Sequence, residues 1–162
     1  DMQPLRISNI YPVELARQVV CEFLDSNLDK KYVFEFESEP QCETEFIRGD
    51  EVLIKRAITN LIQNSINHNA NGCKITISVT CSEKEIAIVV SDNGVGVSAE
   101  KLKALNSKTH YLESTDKALH LRHGLGVLLV LQIVEAHNGI MQILSEEQKG
   151  YETTLIFPKT KY

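Results

Sequence analysis

The sequence predicts an α+β fold with helices packed on one face of a sheet. Three observations predict it. Residues 73–81, "CKITISVTC", and 85–92, "EIAIVVSD", are β-forming runs at hairpin spacing. "IMQILSE" (140–146) and "YETTLIFP" (151–158) close the chain as a second hairpin. Helical patterns near 12–24, 50–69 and 124–138 are mixed in among these strands.

Element by element, residues 5–11 read as a short extended segment. Pro12–Leu24 reads as a helix with Val13, Ala16, Val20 and Leu24 near one face. "KYVFEFES" (31–38) alternates like a strand. "EFIRGD" (45–50) is a shorter one whose Gly49-Asp50 end offers a helix start. A long helix follows over 50–69, then the first hairpin. "SAEKLKAL" (98–105) is a short helix with a serine cap and lysines toward its end. Residues 106–123 are polar and irregular, a length that a compact domain keeps when it is functional or disordered. "GLGVLLVLQIVEAHNG" (124–139) is a helix bracketed by glycines.

The 162 residues correspond to about one domain. Their 43% hydrophobic and 24% charged content is that of an ordinary globular protein. A net charge of −5 with no basic block argues against a nucleic-acid surface, though not against a nucleotide site. No apolar run reaches the ~18–20 residues of a membrane span, and no signal-peptide pattern opens the chain. The start at Asp1-Met2 fits a piece of something longer. Cys21, Cys42, Cys73 and Cys81 are scattered without a C-x-x-C pair, which argues against a metal site or disulfide framework and for a reducing, cytoplasmic setting.

Residues 54–68, "IKRAITNLIQNSINH", carry two faces. At about 100° per residue, Ile54, Ile58, Leu61, Ile62 and Ser65 share one, and Asn60, Asn64, Asn67 and His68 the other, with Arg56 one turn earlier. Asparagine is a poor interior helix residue, so three in a stripe suggest a polar partner. Solvent would serve; so would Mg²⁺ shared with phosphate, since an amide oxygen is a hard neutral ligand. The strand "EIAIVVSD" ends in Asp92, Asn93, Gly94 and Gly96, either an ordinary Asn-Gly turn or something more specific. "HGLGV" (123–127) opens the last helix. Gly124 and Gly126 let backbone N–H groups approach an anion, with Arg122 and His123 adjacent, although packing or capping also explains such a pair.

Taken in order, these segments resemble the ATP-binding catalytic domain of sensor histidine kinases, in the superfamily shared with gyrase, Hsp90 and MutL. "NLIQNSINH" (60–68) is similar to its N box, "DNGVGV" (92–97) to its G1 box and "HGLGV" to its G2 box. The resemblance covers essentially the whole chain, 1–162. It implies the Bergerat fold, a two-layer α/β sandwich with a mixed, mostly antiparallel sheet. It also implies that Asp92 accepts from the adenine amino group, with Gly94 and Gly96 bringing the loop backbone beside the base. Asn93, Asn67 and His68 fall within the same boxes and are taken with the nucleotide contacts. Asn64, with Asn60 nearby, holds Mg²⁺ against the phosphates. Gly124, Leu125 and Gly126 receive phosphate on backbone amides beside His123, and residues 106–123 form a lid.

The implied activity is transfer of the ATP γ-phosphoryl group to a histidine on a separate dimerisation domain of a two-component sensor, with a response regulator downstream. Neither nucleic acid nor direct membrane contact by this domain is expected; the parent chain is a candidate inner-membrane sensor. His68, His110, His120, His123 and His137 lie in the boxes, the lid or the last helix, and none is expected to be the phosphoacceptor. Asn67 stands where the family often has Lys or Arg, Arg122 where it often has glycine, and Tyr111 is the only aromatic where an F box would lie. A degenerate docking module is the alternative reading. A conformational ATPase is disfavoured because Asn60 replaces the glutamate that activates water. An anti-sigma-type serine kinase is a minor fourth.

Overall fold

The computed structural model describes residues 4–107 and 125–159. In chain order the elements are β1 (Ile7–Ile10), α1 (Pro12–Leu24), β2 (Tyr32–Ser38), a 3-10 turn (Pro40–Cys42), β3 (Ile47–Asp50) and α2 (Glu51–His68). β4 (Cys73–Cys81), β5 (Glu85–Asp92), α3 (Ala99–Leu105), α4 (Leu125–Ala136), β6 (Ile140–Glu146) and β7 (Gly150–Pro158) follow. Among the described residues, one five-stranded sheet has the order β2-β4-β5-β7-β6, and β1 pairs with β3 in a separate ribbon. β2 runs parallel to β4, while every other neighbouring pair is antiparallel. This is the mixed, mostly antiparallel sheet that the family resemblance implies.

One face of the sheet builds the core. Ile75, Ile77 and Val79 of β4 lie opposite Asp92, Val90 and Ile88 of β5, and Ile88 in turn faces Leu155 of β7. The apolar side chains among these are buried against α1, α2 and α4, and Asp92 is buried at the end of β5. Ile54, Ile58, Leu61 and Ile62 of α2 are buried too, at roughly 1.5–3 kcal/mol for each large aliphatic group. The outer face carries Glu35, Thr76, Ser91 and Thr154, as period-two alternation requires.

α1 starts at Pro12, whose fixed φ suits a first helical position. Its buried stripe is Val13, Ala16, Val19 and Val20, joined by Leu15. Leu24 departs from the expected face: it is exposed in the last turn, where Phe23 instead stacks on Phe34 at 6.0 Å. α2 begins as Gly49-Asp50 suggested, with Asp50 Oδ1 accepting from Leu53 N–H at 3.3 Å. Ser98 caps α3 through Lys101 N–H. Of the segment expected as a lid, only Asn106 and Ser107 are described. Asn106 Nδ2 donates to Ile143 O at 3.0 Å and its Oδ1 accepts from Ile143 N–H at 3.3 Å, fastening the end of α3 to β6. His110, Tyr111, His120, Arg122, His123 and Gly124 lie outside the described residues.

Candidate functional site

The last two turns of α2 face the end of β5. Ser65, on the buried face, donates its hydroxyl proton to Asp92 Oδ2 at 2.7 Å. Asp92 Oδ1 accepts from Gly94 N–H at 2.9 Å. The carboxylate is buried and held from the helix on one side and from its own loop on the other. Behind it, the Cys73 thiol is pushed up to about 11, first by burial and then by the Asp92 carboxylate.

Asn69, just past α2, ties the helix to this loop. Its Nδ2 donates to Ser65 O at 2.8 Å and its Oδ1 accepts from Val95 N–H at 2.9 Å. Tyr32 on β2 donates to Asn69 O at 2.8 Å, anchoring the same residue to the sheet. Gly94 is packed against the Asn69 carboxamide, which fills the space a Cβ would need. Gly96 has φ +65° and lies against Glu146 O, so it meets both a conformational and a steric demand for glycine. Gln148 N–H donates to Val95 O at 2.7 Å and Val97 N–H to Ser145 Oγ at 2.9 Å, zipping the loop to the β6–β7 turn.

These elements enclose a cavity of about 390 Å³, within the range of small-molecule sites. Asn64, Ser65, His68 and Asn69 form the helix wall, and Asp92, Val95, Gly96, Val97, Ser98 and Lys101 the loop and α3 wall. Glu147, Gln148 and Tyr151 close the side formed by the β6–β7 turn. Gly126, in the first turn of α4, lies against Asn64: a Cβ there would be 3.1 Å from Asn64 Oδ1. The asparagine helix, the D-x-G-x-G loop and the opening of α4 therefore meet at one place.

Not every candidate residue joins them. Asn60 is half-buried and does not line the cavity. Asn67 is exposed and accepts from Gln63 Nε2 at 2.9 Å. Asn93 turns to β4, where its Oδ1 accepts from Lys74 N–H at 2.8 Å. Leu125 contributes its backbone to the start of α4. His137 is buried: Asp50 N–H donates to its Nε2 at 2.9 Å, so the ring proton sits on Nδ1, 2.7 Å from Ile133 O. Nε2 thus holds the end of α4 against the start of α2, while Nδ1 is taken up by a carbonyl of α4 itself. Sequence reasoning missed Ser65 as a polar partner, Asn69, Lys101 and the whole β6–β7 wall.

A model of the family described as histidine kinase-, DNA gyrase B- and HSP90-like ATPase matches residues 49–161. The chain belongs to this family. Within the family it is similar to sensor kinases. It is 31% identical over 120 residues to sensor protein DegM of Bacillus sp. strain B21-2, covering 74% of this chain and 31% of that one. It is 27% identical over 159 residues to sensor histidine kinase YvrG of Bacillus subtilis, covering 98% of this chain and 27% of that one. The chain thus spans about 30% of the length of these curated relatives. The fold matches the nucleotide-free catalytic domain of histidine kinase ThkA with a TM-score of 0.76 at 23% identity, covering 96% of this chain and 97% of the other. As a histidine kinase-like ATPase domain, the chain corresponds to the ATP-binding catalytic region of sensor histidine kinases. No helix among its described residues is long and apolar enough to cross a membrane.

Proposed function

We propose that this chain binds Mg²⁺-ATP and passes the γ-phosphoryl group to a histidine on a separate dimerisation domain of a two-component sensor kinase. The supporting observation is that Asp92 and Asn64 line one cavity while Gly126, at the opening of α4, packs against Asn64. Asp92 accepts from the adenine amino group. Gly94 and Gly96 carry the loop backbone past the base, and His68 borders the nucleotide. Backbone N–H groups of Leu125 and Gly126, at the positive end of α4, receive phosphate oxygens, and the resemblance adds Gly124 and His123 to these contacts. Asn60, Asn67 and Asn93 support the boxes from outside the cavity.

The donor chemistry around Asn64 fits Mg²⁺, which takes few protein ligands and completes its shell with water and phosphate. Asn64 supplies one hard, neutral amide oxygen. When bound, the ion neutralises phosphate charge. The chain's own residues do the remaining work, which is to hold the base, fix the phosphates and aim the γ-phosphoryl group at an imidazole nucleophile. His137 is too deeply committed to serve as that acceptor. Residues 1–162 act as one catalytic unit in the cytoplasm, with a response regulator downstream and without nucleic-acid or membrane contact of their own.

The test is reconstitution. The chain alone should bind ATP, turn it over slowly and not label itself, since no glutamate stands at position 60 to activate water. Mixed with its cognate dimerisation domain, it should label that domain with an acid-labile, base-stable phosphate. Rapid hydrolysis by the chain alone would support a conformational ATPase, an acid-stable product a serine kinase, and no nucleotide binding a docking module.

A further inference from the structure

Ser65 is 5% exposed on a helix face otherwise made of Ile54, Ala57, Ile58, Leu61 and Ile62. A hydroxyl in such a place needs a partner, and Asp92 Oδ2 at 2.7 Å is that partner. The second oxygen of the same carboxylate is held by Gly94 N–H at 2.9 Å. Two donors from two different elements therefore fix how Asp92 is rotated about its side-chain bonds. With only the Gly94 contact, which comes from its own loop, the carboxylate would be free to swing about that one bond. Hydrogen bonds weaken steeply once misaligned, so orientation is worth affinity. A serine hydroxyl also has a single proton. Given to Asp92, that proton leaves Ser65 with only acceptor lone pairs to offer its surroundings, and Ser65 lines the cavity.

We propose that Ser65 is a positioning residue for base recognition. Its hydroxyl fixes the Asp92 carboxylate in the orientation that accepts from an exocyclic amino group, and with its proton given to Asp92 it offers no donor of its own to a purine with a 6-oxo group. The proposal rests on the reading of the cavity as a nucleotide site with Asp92 at the base.

The experiment titrates this chain, unchanged and as Ser65→Ala, with ATP, with purine riboside triphosphate (ATP lacking the amino group) and with inosine triphosphate. Ser65→Ala should weaken ATP about three- to tenfold, the effect of one hydrogen bond. The purine riboside analogue, having no amino group to align, should change by less than about twofold, as a double-mutant cycle of side chain and ligand requires. The preference for ATP over inosine triphosphate should shrink. Equal losses for ATP and the analogue would overturn the proposal, because Ser65 would then only support the fold; so would unchanged ATP affinity. Asp92→Asn in the same series separates the two readings. Selective loss of ATP with Asp92→Asn but not with Ser65→Ala leaves base reading intact and removes Ser65 from it. Unchanged base preference with Asp92→Asn overturns both.

Discussion

The carboxamide of Asn69 occupies the space that any side chain at position 94 would need, so these two residues fix each other's identity. Asn69 must be there because Val95 N–H and Ser65 O both bond to it. Gly94 must then be bare. Gly94→Ala should destabilise the domain by about 1–3 kcal/mol, the usual cost of overpacking, and weaken nucleotide binding by displacing the loop. Asn69→Ala alone should also cost about 1–3 kcal/mol by stranding the Val95 N–H. In the Asn69→Ala background, however, Gly94→Ala should cost clearly less than in the native chain. Urea denaturation of the four proteins measures this coupling. Strict additivity would show that the clash is relieved elsewhere.

Asp92→Asn should lower ATP affinity about tenfold or more, since a hydrogen bond to a charged group is worth roughly 1.5–3 kcal/mol. An asparagine presents one oxygen where Ser65 and Gly94 now find two. Its NH₂ then faces either one of these donors or the adenine amino group. The circular dichroism spectrum should be unchanged, because the core of β4, β5 and β7 packs below this site. Isothermal titration with ATP reads the loss.

Asn64→Ala should separate the metal from the nucleotide. The amide oxygen is one hard donor in a shell otherwise made of water and phosphate, so losing it matters. Binding of ATP in EDTA should persist, while the gain on adding Mg²⁺ should largely vanish. An undiminished Mg²⁺ effect would place the ion elsewhere.

Much of this arrangement is legible in the sequence because its causes are local. The period-two runs of β4 and β5 and the period-3.6 stripe of α2 state which side chains face the core, and the helices and strands fall within a few residues of where those patterns put them. Asp92 is conspicuous as an acid ending an apolar strand. Ser65 is not, because helical phase files it with the core, and its partner is 27 residues away across a hairpin. Asn67 shares a helical wheel with Asn64 but not its surroundings: Gln63, one turn earlier, takes it up at the surface. Glu147, Gln148 and Tyr151 reach the cavity only because β5 pairs with β7, a non-local contact that no turn signature announces.

The start of α2 carries a pH dependence of its own. The Asp50 carboxyl is held below its ordinary value, first by the Arg6 backbone N–H at 3.0 Å. N–H groups of Leu53 and Val52 add to this effect, while burial opposes it. A carboxyl with a lower pKa folded than unfolded favours the native state once it is ionised in both. That contribution is present above the unfolded value, about 3.9, and is lost as the pH falls through the folded value. Asp50→Asn keeps a good capping side chain but removes the charge, so at pH 7 it should cost less than Asp50→Ala, for which about 0.5–2 kcal/mol is expected. The gap between native and Asp50→Asn stability should be constant from about pH 7 to 5 and close below about pH 4. Urea midpoints across that range decide it. A gap that widened on acidification would mean that the Asp50 charge opposes folding, and that the bonds from Arg6 and Leu53 do not hold the ionised form.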